Sequence, residues 1–455
     1  MLQDIFARLM VTPMNKFLMT KFFLSFFLTL TLWTASTMPS AALLKVETVE
    51  TYAGTTAWLM EDRTLPIITL HFEWRGGTAQ DPEALQGLTL LMVSLLNEGA
   101  GAYDSRAFQD RLSFLGTEMR FDADRDSITA EIRMLRPHRN ESLALFRSAL
   151  SEPRFDEEAI MRMKHELKTL IRMRQEDPSD RARDLWYASA FSGHPYASPS
   201  EGTPETIEKI SADDLRRQHQ ALMAQDNVII SAFGDISPRE LKQVLDELLP
   251  ALAPKHQPTP LAPHPLQQTG LTVEFHEGPQ SAVFFGFPGV ALNDADFYPA
   301  FVLNYILGGG GFASRLTEEL REQRGLTYSV YSYLVDQTAV PLWLGGFTSD
   351  RSTVEQALAL VKEELKKLRA DGVSETELRD AKTYLEGSYA LRFDSGLSIV
   401  QQMSFAQWFG LPENYFETRN QFIENVTREA VNRVAREHLD PEKLLIQIVG
   451  TPTGG

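Results

Sequence analysis

The sequence predicts an α+β fold of two homologous domains, each a mainly antiparallel sheet with helices packed on one face. Three observations carry this. Hydrophobic spacing switches between the strand and helix periods along the chain after residue 43. The order of these segments occurs twice, with similar residues at matching places. Between the copies, residues 250–269 are rich in proline and read as an extended linker. Short strands joined by tight turns favour antiparallel pairing, and amphipathic helices need a sheet face to cover.

The first copy, residues 43–249, opens with strand-like runs at 44–50, 56–60 and 67–74. A helical pattern from about Pro82 to Leu96 breaks at Gly99 and Gly101. A shorter one, 105–115, stops at Gly116, where a helix end favours a left-handed residue. Strands are predicted at 117–123 and 127–135, then helices at 140–151, 156–175, 181–192 and 212–224. A buried-type strand, 228–233, and a helix, 237–248, close the copy. In the second copy, residues 270–455, Phe284 to Gly289 answers His71 to Gly76. Ser314, Arg315 and Gly325 stand at one constant offset from Ser105, Arg106 and Gly116. Leu378 to Glu386 answers Ile160 to Lys168, and Leu445 to Gly450 answers Ile229 to Gly234.

With 455 residues, 43% of them hydrophobic and 23% charged, the chain has globular composition and room for two or three domains. A formal net charge of −17 argues against a nucleic-acid partner, which needs a basic face. The chain has no cysteine, which excludes disulfides, thiolate metal sites and a cysteine nucleophile. Residues 1–42 read as a signal peptide. Lys16 and Lys21 precede an apolar run from Phe22 to Trp33, and Ser40 and Ala42 suit the cleavage positions. That run is shorter than the roughly 20 residues a span needs. The expectation is export across the inner membrane to the periplasm, with no membrane span after the leader is removed.

The stretch from Gly308 to Ser332 reads as a glycine loop, a short helix, a stop at Gly325 and a strand. Phe312, Leu316 and Leu320 recur at helical spacing. Arg321 lies before the stop and Tyr328 after it. In the register of the repeat, Arg321 matches Leu112 and Tyr328 matches Met119, so the fold itself does not require polar groups there. Gly308, Gly309, Gly310 and Gly311 read either as an ordinary loop or as a hinge or peptide-contact loop.

Two such halves joined by a proline-rich linker resemble the pitrilysin/insulinase family of zinc peptidases in its short two-domain form. The resemblance covers about residues 45–452. Its most specific part is Ser314-Arg-Leu-x3-Leu-Arg-x2-Arg-Gly-Leu-x-Tyr-Ser-Val-Tyr-Ser332, similar to the signature of the C-terminal domain. Gly116 to Ser127, Glu176-Asp-Pro178, His194-Pro-Tyr196 and Asn227 to Asp235 support it. The resemblance implies an inverted motif, His-x-x-Glu-His, that offers two imidazoles to zinc and a glutamate to the bound water. Here Leu90 and Ser94 fall at the ligand positions and Val93 at the position of the base. The third ligand would fall near Thr169 to Ile171, with Glu166 close but displaced. No two of the nine histidines are four residues apart. This chain is therefore expected to bind no metal.

The resemblance gives Arg321 and Tyr328 the places of an arginine and a tyrosine that reach over a zinc site, where they hold a substrate carbonyl and its developing oxyanion. It implies a non-catalytic subunit of a heteromeric zinc metallopeptidase, inactive alone. A related partner with the intact motif would bring the zinc, and peptides would be the substrates. The other reading is a non-enzymatic peptide-binding or assembly module of the same fold.

Overall fold

The computed structural model describes residues 45–52, 54–257 and 259–450; the leader expected over 1–42 and its expected cleavage point lie outside them. The first half contributes β1 (Glu47–Glu50), β2 (Thr56–Glu61), β3 (Ile67–Arg75), β4 (Glu118–Ala123), β5 (Ser127–Leu135) and β6 (Val228–Gly234). The second contributes β7 (Gly270–Phe275), β8 (Gln280–Pro288), β9 (Thr327–Asp336), β10 (Pro341–Asp350) and β11 (Leu445–Gly450). The first sheet runs β4-β5-β3-β6-β2-β1 and the second β9-β10-β8-β11-β7. Apart from the extra edge strand β1, the orders correspond strand for strand. Each sheet has one parallel pairing, β2 with β6 and β7 with β11, and is otherwise antiparallel.

The helices named here are α1 (Leu88–Ser94), α2 (Ser105–Leu115), α3 (Glu157–Glu176), α4 (Pro178–Ala190), α5 (Ala212–Leu222) and α6 (Pro238–Leu248) in the first half. The second half supplies α7 (Glu375–Gly387), α8 (Gly396–Trp408) and α9 (Arg428–His438). Their starts are locally encoded. Asp104 caps α2 by accepting from Ala107 N, Asp177 caps α4 ahead of Pro178, and reciprocal capping boxes open α5, α6 and α7. Gly116 ends α2 at φ 60°. The first long helix is shorter than the sequence pattern predicts. A 3-10 turn, Glu83–Leu85, precedes it, and Gly87 at φ 87° breaks the run before Leu88. A Cβ on Gly87 would also lie 2.4 Å from Glu201 O.

Strand alternation sets the layers. Ile68, Leu70, Phe72 and Trp74 of β3 are fully buried in the core that α1 and α6 share. The opposite face, carrying Thr69, His71 and Glu73, is met by α8 from the other half. Gln401 Nε2 donates to Glu131 Oε1 at 2.8 Å, Gln407 Nε2 donates to Ser231 Oγ at 2.9 Å, and Ser404 bonds Glu73. The reverse contact uses α4. Trp186, fully buried, packs on Phe284 of β8 with ring centroids 5.7 Å apart and donates from Nε1 to Leu445 O at 3.0 Å. Each half thus covers one sheet face with its own helices, as expected, and the other face receives a helix from the opposite half. The unbroken apolar run Ala282 to Phe287 fits a strand buried on both faces.

The linker is extended but tied down. Gln257 N donates to Ala221 O at 3.0 Å, Thr259 N to Gln80 Oε1 at 2.6 Å and His264 N to Ala339 O at 3.1 Å. Among the described residues no helix is long and apolar enough to cross a membrane.

Candidate functional site

At α1, Val93 is buried in the core, and Leu90 packs against that core together with Met163 of α3. Ser94 is half-buried and its hydroxyl donates back to Leu91 O at 2.8 Å, so its oxygen serves the helix. The nearby polar groups serve one another: Ser105 Oγ donates to Glu98 at 2.6 Å, and Arg162 pairs with the same carboxylate. On α3, Glu166 is exposed, Ile171 is buried and Thr169 donates back to His165 O at 2.9 Å. Among the described residues no group of three or more His, Asp or Glu side chains could hold a metal ion. Leucine and valine have no lone pair for a metal or a water proton, and this helix face packs as core.

Arg321 sits on a wide π-helical turn, Thr317–Glu322, rather than the regular helix the spacing predicts. Gln323 N donates to Glu318 O at 3.0 Å, five residues back, and Gly325 ends the turn at φ 61°. Leu316 and Leu320 are fully buried, as their spacing predicts. Phe312 is not: it is 69% exposed, and the Arg321 guanidinium lies 4.6 Å over its ring. Arg321 also pairs with Glu322 at 3.4 Å, a solvent-facing contact worth little to stability.

Tyr328 is 81% exposed, which rules out a core role. It stands in a β-bulge. Thr327 pairs with Ser349 and Val330 with Phe347, so Tyr328 and Ser329 together oppose Thr348. Thr327 Oγ1 closes the bulge, donating to Ser329 O at 2.8 Å and accepting from Ser329 N at 3.1 Å. Bulges re-aim a side chain and gather near active sites. In the first half the ladder is regular: Met119 pairs with Ile132, and Leu112 is buried. The two halves therefore diverge at the matched positions, with apolar packing in one and, in the other, a half-buried arginine and an exposed tyrosine.

The glycines divide by cause. A Cβ on Gly308 would lie 2.6 Å from Ser332 Oγ, so packing against β9 requires it. Gly311 has open space around it but φ 55°, and its turn leads directly into Phe312.

Sequence reasoning missed a buried charge cluster at the seam between the halves. His71 Nδ1 lies 3.1 Å from Glu131 Oε1, and Nε2 lies 3.7 Å from Glu73 Oε2. Burial pulls the His71 pKa down, but the contacts with Glu131 and Glu73 outweigh it and hold the pKa above the usual value. Burial would raise the two carboxylates; His71, with Ser404 on Glu73 and Gln401 on Glu131, brings both below their ordinary values. The signal was present in the period of two: His71, Glu73 and Arg75 alternate with the core residues of β3, and His71 faces Glu131 across the ladder.

Comparison with known proteins fits this architecture. Residues 65–204 match the insulinase (peptidase family M16) domain and residues 209–385 the peptidase M16 inactive domain. A Helicobacter pylori protein, the non-peptidase homolog YmxG, is 26% identical over 86% of this chain and 90% of its own length. The uncharacterized zinc protease YmxG of Bacillus subtilis is 26% identical over 84% and 92%. The crystal structure of a peptidase M16 inactive domain from Pseudomonas fluorescens superposes with a TM-score of 0.85, at 28% identity, over 90% of this chain and 99% of that one. Two matching domains, one repeated sheet and an apolar helix where the zinc motif would stand lead to one statement: the chain belongs to the insulinase (M16) peptidase family, as a member with the inactive fold.

Proposed function

We propose that this chain is the non-catalytic subunit of a heteromeric zinc peptidase and lends Arg321 and Tyr328 to the active site of a related partner. The observation that carries this is the contrast at matched positions. Tyr328 is exposed, Arg321 is half-buried with its guanidinium over Phe312, neither is required by the fold, and a bulge absent from the first half presents the tyrosine, while Leu90, Val93 and Ser94 serve only packing and the helix backbone. A guanidinium and a phenol can donate to a peptide carbonyl and to the oxyanion formed when zinc-activated water attacks it. The partner would carry the zinc and the glutamate base, and both would work in the periplasm.

The test mixes this chain with a purified relative that has His-x-x-Glu-His and measures peptide cleavage. Each chain alone is expected to be nearly inactive and the mixture active. In the mixture, Arg321→Ala should lower kcat by about 100-fold and Tyr328→Phe by about tenfold, as for loss of an oxyanion donor. A partner fully active alone and indifferent to this chain would overturn the proposal. Peptide binding by this chain without any cleavage by the mixture would favour a binding module.

A further inference from the structure

The seam between the first sheet and α8 holds a half-open cavity of about 510 Å³. Its sheet wall carries His71, Glu73 and Glu131; Asp122 at the end of β4 and Asp124 and Asp126 of the following turn add to these, and Asp336 comes from the end of β9. Among the described lining residues the arginines are Arg120 and Arg125: Arg120 pairs with Asp122 at 3.2 Å, and Arg125 lies 4.0 Å over the Tyr187 ring. Negative charge is therefore in excess. At the buried end, His71 is 3% exposed and its Nε2 has no hydrogen-bond partner, because Glu73 Oε2 at 3.7 Å is out of reach. A buried polar atom left this way is costly unless something fills the gap. The facing wall is aromatic, with Phe405, Trp408 and Phe409. It already holds one cation: the Arg75 guanidinium lies 4.2 Å over the Trp408 ring.

We propose that this cavity binds an alkylammonium ligand, with its charged head between His71 Nε2 and Glu73 and its hydrocarbon chain along Phe405 and Phe409. An ammonium has three donors and no acceptor. It can donate to Glu73 and to a neutral Nε2 together, while Nδ1–H stays on Glu131. A neutral hydroxyl would leave the excess carboxylate charge unmatched. The space exceeds what one ion needs and suits a chain of several carbons.

The head group takes the place of the imidazole proton, so binding releases that proton. The charged groups facing His71 are Glu73 on its own strand and Glu131 on β5, with Asp124 beside Glu73 and Arg120 beside Glu131. α8 and β6, which pack on this face, carry no titratable side chain, and β9 brings Asp336 to the same cavity, beside Asp126. Affinity should therefore fall as pH drops through the folded pKa of His71, by up to about tenfold per pH unit.

Calorimetry on the full chain with 1,4-diaminobutane, at low and moderate salt, tests this. We expect saturable one-to-one binding, proton release in two buffers of different ionisation enthalpy, and no binding of 1,4-butanediol. Glu73→Gln should weaken binding at least about tenfold, and Glu131→Gln should abolish most of the pH dependence. N-acetyl-lysine methylamide separates the sources: binding of the diamine alone assigns a free amine, and binding of the lysine amide assigns a peptide side chain. Absence of saturable binding for both amines, equal binding of butanediol, or unchanged affinity in a folded Glu73→Gln variant overturns the proposal.

Discussion

Two buried histidines titrate in opposite senses. His219 is 8% exposed, with Nε2 3.0 Å from Leu150 O, and burial lowers its pKa to about 4. A histidine with a depressed folded pKa loses stability as pH falls from its unfolded value near 6.5 toward the folded one. His71, whose folded pKa is raised, contributes fully below about 6.5 and loses its contribution as pH rises through the folded value. Denaturant titrations should therefore show His219→Gln flattening the loss between about pH 6.5 and 4, worth on the order of 3 kcal/mol. His71→Gln should flatten the decline on the alkaline side. If both variants track the native protein across the range, these two sites do not set its pH dependence. Arg321 and Tyr328 lie outside the core. Their substitution should leave the melting temperature within about 1–2 °C, because Tyr328 is exposed and the contacts of the half-buried Arg321, to Glu322 and Phe312, face solvent, and such surface contacts rarely matter to stability by more than about 0.5 kcal/mol.

Among elements, α4 and α8 stand out, because each leaves its own half to cover the other's sheet. Trp186 is the anchor of α4, and Gly286 on β8 makes room for it: a Cβ there would meet the Trp186 ring at 2.6 Å. Gly286→Ala should destabilise by about 1–3 kcal/mol through overpacking, and Trp186→Ala by about 3–5 kcal/mol through the cavity left behind. Combining them should cost less than the sum, since the alanine methyl would occupy space the indole had filled; strict additivity by denaturant unfolding would show that the two do not touch in solution. These elements also mark how far the sequence could be read. Capping residues, the glycine stops at Gly116 and Gly325 and the twofold order of strands were legible because each is a local or periodic signal. The bulge at Tyr328 was not, because it depends on a register between β9 and β10 that no single strand encodes. The seam around His71 was not, because alternation shows that β3 has a polar face without showing what covers it. Phe312 fitted the helical period of Leu316 and Leu320, but the glycine turn at 311 carries it out of the helix and under Arg321.

At the scale of the whole molecule, the exchange of α4 and α8 ties the halves into one structure. The linker adds backbone contacts from Gln257, Thr259 and His264, but Trp186, Gln401, Ser404 and Gln407 make the larger seam. Arg181 strengthens it with a bidentate pair to Glu274 of β7, at 2.6 and 3.0 Å. A half expressed alone would expose the sheet face its partner helix covers, together with its own unpartnered helix, and such surfaces drive aggregation. Cutting the linker after folding removes only the covalent tether, which matters to association through effective concentration. The expected results follow from this difference. A protease site inserted near Lys255, once cleaved, should yield two fragments that co-elute as one species with an unchanged circular dichroism spectrum. Residues 43–249 and 270–455 produced separately should be insoluble or partly unfolded, and produced together they should form the same complex. Fragments that separate after cleavage while each keeps a cooperative unfolding transition would mean that each half is stable without the exchanged helix. In that case the seam, with the cavity along it, could open without unfolding either half.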